Sequence, residues 1–345
     1  MDQLTIGLSG INAIDNPGPG VGIARSLKDD PDLNIQTVGL AYDALEPGLY
    51  LDWLIDKAFV LPYPSGASDA YLDRLHQIQN HYGLDMVIPN LDAELPLYIK
   101  LQDKLMSQGI RTFLPSLEQF RLRGKDRLTD VAQTIGIDCP RTQVVTSSDE
   151  LTRALEELGL PVMIKGLYYQ AYRVQTAPEA HRSFTQIVAE WGYPVIVQEI
   201  VTGDEMNVVG VGDGAGDHLG LVGIKKLSVT ALGKIWNGVT VKNRGMLTAA
   251  ETFVQQTRWR GGFELECIVN NDRIVLIEIN PRLPAWSYFA TGVGVNLPAR
   301  MVRKAFGLPV QDRPDYEAGK LFIRYTYELI TDMVRFQNMS LRGET

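Results

Sequence analysis

Short apolar runs recur through the first hundred residues, LTIGLS at 4–9, NIQTVGL at 34–40 and LDMVIP at 84–89, each separated from the next by a helical-looking segment. Such alternation specifies a parallel α/β sheet, because parallel neighbours need a crossover of helix length between them. After the first run comes NPGPGVGIARSLK, in which Pro17, Gly18, Pro19 and Gly20 turn the chain before Val21, Ala24 and Leu27 line one helical face. The loop reads as a plain turn or as a seat for an anion on a helix N-terminus. It is not the GxGxxG fingerprint of dinucleotide binding.

Further along, the pattern changes. LPSLEQFRLRGKDRL, 114–128, leads into a helix carried by Leu128, Val131, Ala132 and Ile135, which places a boundary near 115–125. MNVVGVGDGAGDHLGLVGIKKL reads as two strands around a turn, and FELECIVNNDRIVLIEI as another pair turning at Asn270 to Arg273. The expected organisation is an N-terminal parallel α/β unit over 1–115, a small lobe and hinge over 116–202, a C-terminal lobe rich in antiparallel strands over 203–310, and an extension over 311–345.

At 345 residues the chain has room for two or three such units. A net charge of −8 disfavours non-specific nucleic-acid binding, which leaves small-molecule or peptide substrates as the better fit. Cys139 and Cys267 are too few and too far apart for a disulfide framework or a CxxC site, so buried thiols are expected. MDQLTIGLSG lacks the basic start and apolar run of a signal peptide, and no stretch approaches the roughly 18 apolar residues of a membrane span; the expected address is the cytoplasm.

The sharpest chemical signal is IEINPR, 277–282. Alternation along a strand aims Glu278 and Asn280 to one face, with Arg282 just beyond. Glu266 lies on the preceding run where it can pair with Glu278 across the hairpin, and Glu264 shares its face. Hard oxygen donors of this kind suit magnesium, and an arginine beside them grips an anion. The alternative is a surface strand with ordinary charges. Lys125 in RGKDRLTD, taken to open a helix, and Lys165, closing the apolar run PVMIK, are two more cations; alone, each reads as an ordinary solvated lysine before it reads as an anion-binding one. VIVQEIVTGDE, 195–205, is an apolar strand whose end offers backbone groups at Glu199 and Val201 to a flat heterocycle, or is simply a linker. GDGAG, 212–216, reads as a hairpin turn before it reads as a phosphate loop, and one of Lys225 and Lys226 on the strand after it is expected to point into a cleft. Asp92 and Glu94 follow a strand of the first unit, either to hold an amine or to cap a helix. His76, His81, His181 and His218 form no metal array, and no GxSxG nucleophile elbow occurs.

Taken in order, Lys125, Lys165, QEIVTGDE, the KK pair, ELE and IEINPR resemble the ATP-grasp superfamily, in particular its biotin carboxylase and carbamoyl phosphate synthase branch. The resemblance covers about residues 1–310. It implies an α/β (α+β grasp) architecture in which a parallel pre-ATP-grasp domain precedes a two-lobed grasp, with nucleotide and metal between the lobes. It further implies ATP with Mg2+, or Mn2+ in its place. Lys125, Lys165 and Lys226 would contact the phosphates, Gln198 and the backbone of Glu199 and Val201 the adenine region, and Glu205 the ribose. Glu266, Glu278 and Asn280 would bind the metal, while Arg282 and Lys225 would act on the transferred phosphoryl group. One departure stands out: where relatives carry a glycine-rich loop, this chain has GLYYQAYRV, 166–174, whose Tyr168, Tyr169 and Tyr172 offer hydroxyls or a lid instead.

The reaction implied is a carboxylate–amine ligation. A carboxylate attacks the terminal phosphate of ATP and an amine captures the acyl phosphate, with release of ADP and phosphate. The competing readings are a bicarbonate- or carbamate-phosphorylating enzyme and a non-catalytic ATP-binding sensor or scaffold. A homodimer is expected by analogy alone.

Overall fold

The three apolar runs of the first hundred residues become strands of one parallel sheet in the computed structural model, which describes residues 3–167, 170–311, 313 and 315–344. Strands β1 (Leu4–Leu8), β2 (Ile35–Ala41), β3 (Lys57–Val60) and β4 (Met86–Ile88) lie in the order β3-β2-β1-β4, with Ile6 opposite Thr37 on one side and Met86 on the other. The helix Pro19–Lys28 follows β1 and buries Ile23, Ala24 and Leu27. In the loop before it, the Gly18 N–H donates to the Asn12 carbonyl (2.7 Å) and the Gly20 N–H to the Gly10 carbonyl (3.0 Å), so the loop is a turn that satisfies its own backbone. A Cβ at Gly20 would stand 2.1 Å from the Ser9 carbonyl oxygen, and only glycine fits that approach.

A second sheet is antiparallel: β5 (Thr142–Val145), β6 (Val162–Gly166), β7 (Ala171–Val174) and β8 (Val195–Glu199), in the order β5-β8-β6-β7. Helices Ser148–Leu158 and Ala177–Trp191 supply Leu151, Leu155 and Ile187 to its core, against Val162, Ile164, Val195 and Val197. The third sheet has six strands, β9 (Asp204–Asp213), β10 (His218–Val229), β11 (Ile235–Val241), β12 (Arg260–Asn270), β13 (Arg273–Asn280) and β14 (Leu321–Ile323), in the order β13-β12-β9-β10-β11-β14. The β9/β10 and β12/β13 hairpins correspond to the two strand pairs read from the sequence.

The chain divides into two compact units. The larger comprises Met1–Arg121, Met206–Leu265 and Asn280–Thr345; the smaller comprises Leu122–Glu205 and Glu266–Ile279. Among the described residues, no helix is long and apolar enough to cross a membrane. Cys267 is buried and Cys139 half-buried, and both thiols are free.

Candidate active site

In the smaller unit, strand pairing decides where the lysines go. Antiparallel pairing of β6 with β8 sets Met163 opposite Gln198, and Lys165, two residues on, reaches Gln198 from the same face. The Lys165 Nζ donates to the Gln198 Oε1 at 2.6 Å, and the Gln198 Nε2 donates to the Thr142 Oγ1 on β5 at 3.0 Å. Lys125 does not open a helix: it lies in the turn ahead of the helix Leu128–Thr134, and its Nζ donates to the Gly166 carbonyl at the end of β6, 2.8 Å away. Both ammoniums are half-buried and held by neutral acceptors. Burial lowers the pKa of each; Glu278 pulls both back up, and Glu266 does the same for Lys165. Two cations and two carboxylates thus share one electrostatic environment within this unit.

Glu278 is exposed on β13 and Glu266 half-buried on β12. Among the described residues, no three His, Cys, Asp or Glu side chains form a metal-binding group, so any site here needs another kind of donor beside the two glutamates. At the end of β8 the Glu199 N–H is already bonded to the Arg141 carbonyl (3.0 Å). Burial works against the Glu199 carboxylate, but the Arg141 guanidinium at 2.7 Å holds its pKa below the usual range. Val201 is half-buried past the strand end and Glu205 is exposed. Tyr168 and Tyr169 lie outside the described residues. Tyr172 is a half-buried residue of β7, opposite Ile164 and packed on the core of the unit, which gives it a structural place rather than that of a lid.

In the larger unit, Arg282 follows β13 and forms a two-point ion pair with Asp92, Nε to Oδ1 at 3.1 Å and Nη2 to Oδ2 at 3.3 Å. Asp92 therefore serves an arginine. Glu94 neither caps through its side chain nor meets solvent: fully buried, it accepts from the Ser9 and Tyr42 hydroxyls and from the Asn90 and Leu91 N–H groups. Burial raises its pKa against those bonds. Asn280 and Glu264 are buried, with the Asn280 Nδ2 donating to the Glu264 Oε2 at 3.0 Å. The Asn207 Nδ2 and the Trp286 Nε1 both donate to the other oxygen of Glu264, each at 2.7 Å. Lys225 and Lys226 are half-buried on β10.

Sequence reasoning assigned no role to 311–345, yet Arg324 lies there as a half-buried guanidinium held by the Pro17 and Ala285 carbonyls (3.4 and 2.6 Å). Burial lowers its pKa to about 10, and its Nε has no hydrogen-bond partner among the described residues. An arginine inside the apolar LFIRY was the signal available. The Asp92 pairing and the three donors on Glu264 had none, because their members are far apart in sequence.

No profile of a known protein family matches the chain. Of the curated proteins, the large chain of the arginine-specific carbamoyl phosphate synthase of Bacillus subtilis (strain 168) is 20% identical over 174 residues, 47% of this chain but only 17% of that protein. The chain therefore spans about a sixth of the length of this relative. Of the solved structures, the biotin carboxylase domain dimer of Hydrogenobacter thermophilus 2-oxoglutarate carboxylase, in complex with MgADP, ADP and bicarbonate, superposes with a TM-score of 0.69 at 16% identity, covering 92% of this chain and 73% of that one. The ADP complex of an N5-carboxyaminoimidazole ribonucleotide synthetase gives 0.68 at 14% identity, over 89% and 78%. At these identities the likeness establishes the fold alone, which is the one shared by these two structures.

Proposed function

We propose that this chain is an ATP-dependent ligase that activates a carboxylate as an acyl phosphate for capture by an amine. The observation that carries the reading is the grouping of Lys125, Lys165, Glu266 and Glu278 in one small unit, where half-buried ammoniums are offset by carboxylates. Cations withdrawn from water in this way suit a polyanion, and half-exposed carboxylate oxygens suit a hard divalent ion. The donors present therefore fit a magnesium nucleotide. That solved relatives of this fold hold ADP, one of them as its magnesium salt, supports the same reading.

Under it, Lys125 and Lys165 bind the phosphates, with Gln198 fixing the reach of Lys165. Lys226 adds charge, and the end of β8 from Glu199 to Val201 takes the base, with Glu205 on the ribose. Glu266, Glu278 and Asn280 hold magnesium or manganese. When bound, the metal neutralises charge that develops on the transferred phosphoryl group. Arg282, its plane set by Asp92, and Lys225 stabilise the same group. Phosphoryl transfer demands positioning and electrostatics more than a nucleophile from the protein, so the site needs no activated serine or cysteine. The carboxylate oxygen of the substrate forms the new P–O bond as ADP leaves; the amine then forms the C–N bond as phosphate leaves. The substrates are small-molecule or peptide acids and amines in the cytoplasm, and the dimer described for the carboxylase relative makes a homodimer the assembly to look for.

The test is ADP release from ATP and Mg2+ with pooled acids and amines, for wild type and Glu278→Gln. Release that needs both an acid and an amine and is lost in the variant is the expected result. Wild-type rates in Glu278→Gln would refute the metal assignment, release with bicarbonate alone would replace the ligase with a bicarbonate-phosphorylating enzyme, and nucleotide binding without release would leave a sensor.

A further inference from the structure

Glu264 neighbours the proposed metal ligands but is turned inward, 3% exposed. Its two oxygens do different work. Oε1 takes both the Asn207 Nδ2 and the Trp286 Nε1 at 2.7 Å, while Oε2 takes the amide nitrogen of Asn280 at 3.0 Å. A carboxylate accepts and does not donate, so it dictates which end of the Asn280 amide faces it. The nitrogen must turn to Glu264, and the carbonyl oxygen turns away.

The geometry points to Glu264 as a positioning residue that sets the polarity of the Asn280 amide, so that Oδ1 and not Nδ2 is presented to the divalent cation. This rests on the ligase reading in one respect, that Asn280 is a metal ligand. An amide nitrogen cannot ligate a cation, so a flipped Asn280 is a lost ligand rather than a weakened one. Trp286 belongs to the same arrangement, because its indole N–H anchors Oε1 and keeps the carboxylate from rotating.

Reversing the polarity at both residues provides the test. In Glu264→Gln the remaining oxygen must stay with Asn207 and Trp286, which places the new NH2 against the NH2 of Asn280. The clash is relieved by flipping Asn280 and so removing its oxygen from the metal. In Asn280→Asp two carboxylates face each other at the same spot. In the double variant Glu264→Gln/Asn280→Asp, the glutamine NH2 donates to the aspartate, the net charge equals that of the wild type, and an oxygen again faces the cation.

The measurement is Mn2+ affinity for the ADP-saturated protein, read by water proton relaxation and accompanied by circular dichroism and thermal unfolding, with Glu278→Gln as reference. Glu264→Gln is expected to bind Mn2+ about 10- to 100-fold more weakly, the range for loss of a group that orients a ligand. The double variant should return to near wild type. Wild-type affinity in Glu264→Gln, or a double variant that is folded yet no better than the single, overturns the proposal. If Glu264→Gln does not fold, Asn280→Asp against the double variant decides it, since the proposal requires the double to fold and to bind. If Glu278→Gln retains full Mn2+ affinity, the metal site itself is misassigned; if it loses affinity and Glu264→Gln does not, only the positioning role fails.

Discussion

Glu46, 7% exposed, shows at the scale of a single residue what a buried carboxylate does to stability. Its Oε1 accepts from the Tyr42 N–H at 2.7 Å, and its Oε2 has no hydrogen-bond partner among the described residues. Burial pushes its pKa up to about 6; the Tyr42 and Asp43 backbone bonds oppose the rise and the charge of Glu94 adds to it. Between the ordinary carboxyl range and about 6, the native chain holds a proton that the unfolded chain has released. Stability therefore falls as pH rises through that window. At 1.36 kcal/mol per pH unit, the rise from 4.5 to about 6 corresponds to about 2 kcal/mol. The stability of Glu46→Gln relative to wild type should accordingly climb by about 2 kcal/mol between pH 4 and pH 7 in urea unfolding, with other titrating groups cancelling in the difference. A difference that does not change with pH would show that Glu46 is solvated in the native state.

Helix starts in the smaller unit carry the next prediction, at the scale of elements. Ser147 and Thr176 cap the helices Ser148–Leu158 and Ala177–Trp191 by accepting from the Glu150 and Glu179 N–H groups at 3.2 and 3.4 Å. Each glutamate reaches back to the backbone N–H just before the cap residue, Thr146 at 2.6 Å and Gln175 at 2.8 Å. Ser147→Ala should cost about 1 kcal/mol of stability in denaturant unfolding and leave nucleotide affinity unchanged. An unmoved midpoint would mean that packing of Leu151 and Leu155 alone fixes that helix start. Elements of this kind are legible because their signals are local: β1, β2 and β4 announced themselves by apolar runs and the two hairpins by their turns. The short strands β7 and β14 did not. Leu321 and Ile323 of β14 are 61% and 70% exposed, so their apolar character does not report burial, and only pairing with β11 makes them a strand. The site divides in the same way. IEINPR concentrates its donors in six residues, whereas Lys165 finds Gln198 through the register of β6 on β8, and Arg282 finds Asp92 across 190 residues. Contacts fixed by tertiary pairing leave no local periodicity to read.

At the scale of the whole molecule, the smaller unit is assembled from 122–205 and 266–279, and the larger from the three segments that flank them. Each has a core of its own: Leu151, Ile164, Ile187 and Val197 in the smaller, Ile6, Leu8, Ile23 and Leu27 in the larger. Two cores in one chain make independent opening of the smaller unit the expectation, and a single two-state free energy would not describe it. Because Lys125, Lys165, Glu266 and Glu278 all belong to the smaller unit, a ligand bound by them stabilises that unit against its own opening. At a hundredfold excess over Kd the gain is about 2.7 kcal/mol. Hydrogen exchange with MgADP at that excess should therefore slow the β6 and β8 amides by about a hundredfold, and the same addition to Glu278→Gln should slow them far less. Protection confined to β1, β2 and β4 would place the nucleotide in the parallel-sheet unit instead, and the assignment of the four charged residues would fall with it.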